Sequence, residues 1–332
     1  MRMSRIIVRP SMLLAVGIAL LQLPAGASAQ QPPGDKPAAQ PQAAKPAIYD
    51  TTADAKTQIA AALAKAKREN QRVLVMFGGN WCGWCHKLHE LFKKERTIGK
   101  ALLYEYQLVL VDIGKFDKHM EVASGYGADL GKAGVPFLTV LDADGKVLAN
   151  QETGVLEAGD RHDPKRVFAF LKKWRAEPLD AEKLLSAALA RAGAEEKSVF
   201  LHLGAPWCSW CRRLEGFTAR QEIATILEQD FVDLKIDVDR MTHGRQVAQR
   251  IRGSDKGGIP WFAILDGQAK VLATSDGPKG NVGFPVQPHE IRHFIGALKK
   301  TARRISAEQL DAIEKALEES AAKLKGPTRP GD

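Results

Sequence analysis

One segment of this chain is written twice. Val73 to Cys85 reads VLVMFGGNWCGWC, and Val199 to Cys211 reads VFLHLGAPWCSWC, with the first cysteines 126 residues apart. Downstream, Leu108 to Asp112 (LVLVD) matches the end of Val232 to Asp237 (VDLKID) at an offset of 125. Gly134-Val135-Pro136-Phe137, running on to Asp142, matches Gly258-Ile259-Pro260-Trp261, running on to Asp266, at an offset of 124. Three landmarks in one order, drifting by only two residues, point to an internal duplication with small insertions. Whatever fold the chain adopts must therefore be built from the same unit twice.

Each unit alternates strand and helix patterns. The apolar runs at Val73 and Val199 have strand character and end in a short Gly-containing turn. Asp54 to Arg68 and Asp180 to Arg191 are alanine-rich and amphipathic, with Ile59, Leu63, Leu184, Leu185 and Leu189 as candidates for the buried faces. Asp163-Pro164 opens a helix through Phe168, Phe170 and Leu171, with Asp as cap and Pro in the first turn; Pro288 to Arg303 is its counterpart. The alternation predicts an α/β fold with a layered sheet. A last helix starts at Ser306 with Gln309 in a capping-box position, and its Leu310, Ile313, Leu317 and Leu324 should dock on the second unit. The expected layout is a unit at 48–175, a unit at 178–305, a helix at 306–325 and a tail at 326–332.

The first 29 residues read as an export signal. Arg2, Arg5 and Arg9 precede the twelve-residue apolar run Met12–Leu23, then come Pro24, Gly26 and Ala27-Ser28-Ala29, with cleavage expected after Ala29. The run falls short of the ~20 apolar residues a spanning helix needs. No later segment reaches that length, so no integral membrane span is expected after signal removal. No cysteine lies near the cleavage site, which excludes a lipid anchor there. Residues 30–47 are rich in Pro, Ala and Gln and read as a linker. The absence of a KDEL-like ending turns the expectation from the endoplasmic reticulum to a periplasm or secretion. The net charge is +9, of which +6 remains after residue 29, with Lys and Arg interleaved among Asp and Glu. No basic stripe forms, so nucleic acid is not an expected partner.

All four cysteines fall in two C-x-x-C pairs, Cys82/Cys85 and Cys208/Cys211. A strand and turn before each pair, and a helix pattern after it, place the first cysteine at a helix N-terminus. There, unsatisfied N–H groups and the helix dipole stabilise a thiolate. Such a thiolate attacks a disulfide, and the second cysteine, three residues on, resolves the mixed disulfide.

With these motifs the sequence resembles the thioredoxin family, twice over. The resemblance rests on Trp81-Cys82-Gly83-Trp84-Cys85 and Trp207-Cys208-Ser209-Trp210-Cys211, and on the strands that begin at Val135-Pro136 and Ile259-Pro260. It implies two tandem thioredoxin-like folds, each a central mixed sheet flanked by helices. It also implies that Pro136 and Pro260 are cis and lie beside the dithiols, with the backbones of Val135 and Ile259 pairing with substrate. The implied activity is thiol–disulfide exchange without an organic cofactor. The implied partners are disulfide-bearing client proteins and a thiol electron donor or acceptor, in a membrane or soluble. The family carries proline where Trp84 and Trp210 stand. It also carries a buried aspartate six positions before the first cysteine, where this chain has Met76 and His202.

Other readings compete. Zinc-ribbon pairs stand ~15–20 residues apart, whereas 122 residues separate Cys85 from Cys208, so no metal site is expected. Cys82-Gly-Trp-Cys85-His86 is formally a haem-attachment sequence, but Arg212 replaces the histidine in the second copy. His86 is instead expected on the helix surface near the thiolate, lowering its pKa, with His202 a second tuning group. A binding or assembly factor that keeps the fold without turnover stays open. Trp81, Trp84, Trp207 and Trp210 are expected to be partly exposed and available to an unfolded client. Asp112 and Asp237 read as strand-end turns, and Lys299, Lys300, Arg303 and Arg304 as a solvated helix end. The duplication also allows electrons to be relayed between the two dithiols.

Overall fold

The computed structural model describes residues 46–254 and 257–325. The expected signal, most of the linker and the tail at 326–332 lie outside the described residues. In the first half the elements are α1 (Ala55–Glu69), β1 (Arg72–Gly78), α2 (Gly83–Lys94), α3 (Arg96–Glu105), β2 (Tyr106–Asp112), α4 (Met120–Gly125) and α5 (Leu130–Ala133). They continue with β3 (Phe137–Leu141), β4 (Val147–Glu152), the two-residue strands β5 (Glu157–Ala158) and β6 (Arg161–His162), and α6 (Pro164–Trp174). The second half begins with α7 (Ala181–Ala194), β7 (Ser198–Gly204), α8 (Ser209–Thr218), α9 (Gln221–Leu227), β8 (Phe231–Asp237) and α10 (Gly244–Arg252). It ends with β9 (Trp261–Leu265), β10 (Val271–Thr274), the short β11 (Asp276–Gly277) and β12 (Gly280–Asn281), α11 (Pro288–Thr301) and α12 (Ala307–Lys325).

The two main sheets are ordered β2-β1-β3-β4 and β8-β7-β9-β10. The central strands β1 and β7 each pair parallel to one neighbour and antiparallel to the other. Both are almost wholly buried because helices cover both faces of each sheet, which is why they read as continuous apolar runs. Alternate residues of β1 feed different cores. Val73, Val75 and Phe77 pack with Ala55 and Ile59 of α1, while Leu74 and Met76 pack with Leu88, Phe92, Ile98 and Phe170. In β7, Val199, Leu201 and Leu203 join Leu185 and Val247, while Phe200 joins Leu214, Phe217, Ile223 and Phe294. The fold is α/β and thioredoxin-like, with a C-terminal helix added.

The caps explain the helix starts. Asp54 accepts from Thr57 N at 2.8 Å, Asp163 from Lys165 N at 2.7 Å, and Asp180 from Glu182 N at 2.9 Å. Ser306 and Gln309 cap each other reciprocally. Leu310, Ile313 and Leu317 of α12 are buried in the same cluster as Phe231 and Phe294.

Three expectations need correction. Leu324 is exposed, because by that turn α12 has run past the core. Helix α11 stops at Thr301, so Arg303 and Arg304 lie in the turn that follows it. The basic cluster there is also not a free solvated face. The backbone N–H groups of Arg303, Arg304 and Ile305 all donate to the buried Asp230 Oδ2, at 2.9, 2.7 and 2.9 Å. Lys300 donates to the Leu272 carbonyl at 3.0 Å, and Arg304 to those of Gln229 and Glu196. Among the described residues no helix is long and apolar enough to cross a membrane.

Candidate active site

Each C-x-x-C pair forms at the start of a helix. Cys82 is the N-cap of α2 and Cys208 the N-cap of α8, and each accepts a hydrogen bond at 3.0 Å from the backbone N–H of the second cysteine. A sulfur is thereby aimed at the unsatisfied donors and positive end of the helix dipole, the setting that lowers a thiol pKa. Both pairs are in the disulfide form, with Cα–Cα distances of 5.2 and 5.3 Å. The outer cysteines retain a 4% exposed edge, whereas Cys85 is fully buried and Cys211 almost so.

The Val135–Pro136 and Ile259–Pro260 bonds are cis. Val135 O lies 3.6 Å from Cys82 Sγ, and Ile259 O lies 3.6 Å from Cys208 Sγ. Residues more than fifty positions away thus border the outer sulfur of each pair.

The flanking indoles differ in exposure. Trp81, Trp207 and Trp210 are 45, 56 and 43% exposed, while Trp84 is half-buried. Trp84 sits edge-on to His162 at 5.2 Å between ring centroids, with Lys87 over its face. Trp210 tilts against Phe284 with Arg213 over its ring. Trp81 donates to the Gly114 carbonyl, and Trp207 donates to Asp239 Oδ2 at 2.7 Å.

His86 lies half-buried in the first turn of α2. Its Nε2–H donates at 2.8 Å to the carbonyl of Asn80, and Arg212 donates at 2.5 Å to the carbonyl of the matching Pro206. The two side chains brace the same turn, so the shared fold accounts for His86 without haem. His202 lies inside β7, buried, with Nε2 3.2 Å from Asp233 Oδ1. Burial opposes its charge, but Asp233 and then Glu215 more than offset that, and its pKa is raised.

What borders the buried sulfur differs between halves. A Cβ on Gly78 would collide with the Tyr49 hydroxyl and stand 2.6 Å from Cys85 Sγ, so hydroxyl and sulfur both crowd the same face of Gly78. In the second half the same test at Gly204 meets Glu215 Oε1 at 3.3 Å and Cys211 Sγ at 3.6 Å. Lys235 Nζ donates to Glu215 at 2.7 Å and to Glu69, from the first half, at 2.6 Å. Burial works against the lysine's charge, yet the two carboxylates raise its pKa. In the first half Met76 faces Leu110 in the register where His202 faces Lys235. A cavity of about 490 Å³ opens beside this charged group, lined by Glu69, His202, Glu215 and Lys235.

Sequence reasoning singled out neither Tyr49, Glu215, Lys235, Asp239 nor His162. Only Glu215 had a signal, its position four residues after Cys211 on the same helix face. His162 is buried, with no hydrogen bond on either ring nitrogen. Burial, and then the charge of Lys87, push its pKa down to about 4. Between about pH 6.5 and that value the unfolded chain takes up a proton that the folded chain refuses, so stability falls as pH drops through this window. At about 1.4 kcal/mol per pKa unit, pH 5 removes about 2 kcal/mol relative to pH 7.5. Urea unfolding of His162→Leu should lack that difference; an equal acid loss in the variant would assign it elsewhere.

Known proteins carry matching features. Residues 54–143 match a family model described as thioredoxin-like (Thioredoxin_7). Residues 164–324 match the model Thioredox_DsbH, described as "Protein of unknown function, DUF255". A protein disulfide-isomerase, erp38, of Neurospora crassa is 25% identical over 183 residues, covering 55% of this chain and 48% of its own length. The chain thus spans about half the length of that curated relative. A disulphide isomerase from Xylella fastidiosa Temecula1 is 32% identical, with 38% of this chain and 95% of that one covered and a TM-score of 0.35. The C-terminal domain of Neisseria meningitidis DsbD in the oxidised form is 17% identical over 37% of this chain and 97% of its own, with a TM-score of 0.28. The two family models run over 54–143 and 164–324, and the first spans the Cys82/Cys85 pair: this chain belongs to the thioredoxin-like family.

Proposed function

We propose that this chain is an exported thiol–disulfide oxidoreductase of two tandem units, 48–175 and 178–305. It exchanges disulfides with client proteins, in the reductase or isomerase direction. The observation that supports this most is the paired geometry: a cysteine N-cap, a buried second cysteine and an X–Pro carbonyl 3.6 Å from the outer sulfur, in both halves.

In the reduced protein the Cys82 or Cys208 thiolate attacks a client disulfide. One client sulfur leaves with the electron pair and is protonated by solvent. Cys85 or Cys211 then loses its proton and attacks the mixed disulfide, forming the intramolecular bond and releasing the second client thiolate. The client gains two electrons and the dithiol loses two, so a thiol donor, membrane-bound or soluble, must restore them. The backbones of Val135 and Ile259 hold the client strand, Pro136 and Pro260 shape that groove, and the exposed indoles hold its apolar side chains. No organic cofactor takes part.

The deciding measurement equilibrates the full chain in glutathione buffers, alkylates it, and follows both C-x-x-C peptides by mass spectrometry. A potential near −270 mV means a reductase, and one near about −120 mV an oxidant that donates disulfides. If neither pair cycles while an unfolded client still binds the indole-lined surface, the chain is a binding factor instead.

A further inference from the structure

The Tyr49 hydroxyl is buried, carries a hydrogen and has no hydrogen-bond partner. A buried polar group left in that state costs free energy, so its placement calls for an explanation. Its position is not accidental slack. Asn80 Oδ1 accepts from Ile48 N at 2.8 Å and from Tyr49 N at 2.9 Å, and Asn80 Nδ2 donates to Tyr49 O at 3.0 Å. Asn80 immediately precedes Trp81-Cys82, so the clamp fixes the tyrosine to the loop that carries the dithiol. The phenol oxygen and Cys85 Sγ then both crowd the point where a Cβ on Gly78 would stand, which only a glycine leaves free. Burial, and then the charge of Asp112, push the phenol pKa up, so it stays a donor and does not become a base.

Resting on the exchange activity above, we propose that Tyr49 is the hydrogen-bond donor to the Cys85 sulfur in the reduced state of the first pair. A disulfide sulfur is a poor acceptor, and the hydroxyl is unsatisfied while the bond is closed. When a glutathione thiolate attacks Cys82, the Cys82–Cys85 bond breaks and Cys85 leaves with the electron pair. The new thiolate then accepts from Tyr49 O–H, with no proton leaving the phenol. A second glutathione thiolate attacks the glutathione sulfur of the mixed disulfide, so that oxidised glutathione forms and Cys82 leaves with the electron pair; solvent protonates the dithiol. The donor stabilises the reduced form and makes the first pair the more readily reduced. At the matching place the second half holds the Glu215 carboxylate, which has no hydrogen to give when ionised and cannot act in this way.

The test is Tyr49→Phe in the full chain, which removes one oxygen and keeps the ring in place. Both pairs are followed in the same glutathione titration. The expected result is a shift of about tenfold in the equilibrium constant of Cys82/Cys85 towards the disulfide, equivalent to about 30 mV, with Cys208/Cys211 unmoved. Stopped-flow opening of the first disulfide by glutathione should slow in parallel, since the same donor stabilises the leaving sulfur. A first pair that cycles with an unchanged constant overturns the role of Tyr49 and leaves the exchange activity standing. Failure of both pairs to cycle in the unsubstituted chain overturns both. If Tyr49→Phe moves both pairs equally, the effect is general and the assignment to Cys85 is wrong. Asn80→Ala, which frees the clamp but leaves the phenol, should shift the first pair in the same direction.

Discussion

Replacing Cys82 and Cys208 together by serine should abolish reduction of insulin disulfides, by on the order of 10³-fold, leaving only the background rate of the added reductant. The argument is local. A serine hydroxyl is not ionised near neutral pH and does not attack a disulfide, so both entry points are lost at once. The fold should survive, because each outer cysteine serves α2 or α8 as an N-cap acceptor, and serine is among the best residues for that position. Circular dichroism and urea midpoints should therefore match the reduced parent protein. The single variants divide the activity between the halves. If one of them alone removes all turnover, the two dithiols act in series as a relay and not in parallel. Turnover that persists in the double variant would place the chemistry outside these cysteines altogether.

The second large effect is expected at Arg240, where the halves meet. Its Nε donates to Glu105 at 3.0 Å, and its Nη1 to the Glu69 carbonyl at 2.6 Å. Its Nη2 donates to the Asn70 carbonyl. The arginine and glutamate side chains are 8 and 14% exposed. Arg240→Ala leaves a largely desolvated carboxylate and two carbonyls without partners, a loss of about 3–5 kcal/mol. In a chain of this size, that is a fall of roughly 5–9 °C in the unfolding midpoint. Lysine should not restore it, since one ammonium cannot reproduce the planar fork that serves three acceptors. Limited proteolysis should speed up at the 175–180 connection, because Asn70 also donates to the Glu177 carbonyl there at 2.9 Å. A loss under 1 kcal/mol would mean that water replaces the guanidinium cheaply and that the halves are only loosely joined.

Much of the site was legible in the sequence because its chemistry is local. Cys82 and Cys208 cap helices that the downstream pattern already announced, and Asp54, Asp163 and Asp180 cap theirs for the same reason. Pro136 and Pro260 could be placed through the order of landmarks in the two copies. The neighbours of the buried sulfurs were not legible. Tyr49 is brought beside Gly78 and the first dithiol because Asn80 holds residues 48–49 against the loop before Cys82, a contact spanning more than thirty positions. Glu215 looks like any charged residue on an exposed helix until Lys235 and Glu69 are brought beside it, the latter from the other half of the chain. Asp230 is invisible for a similar reason: nothing in the sequence says that one carboxylate will collect three consecutive N–H groups some 73 to 75 residues away. His86 makes a contact that the sequence did not announce: like Arg212, it donates to a carbonyl of the turn before its dithiol.

That carboxylate has a consequence for how the molecule can be dissected. By turning the chain after α11, Asp230 delivers α12 to the second core, where Ile313 and Leu317 are fully enclosed and Arg220 donates to Ser320. The stretch expected to form the second unit stops at residue 305, but the core it shares is not closed until residue 321. The stretch that carries the motifs and the stretch that closes the core have different lengths in this half. A fragment cut at the repeat boundary would carry every cysteine, proline and tryptophan of its site and still lack a wall. Its inactivity would report a missing wall and say nothing of the dithiol.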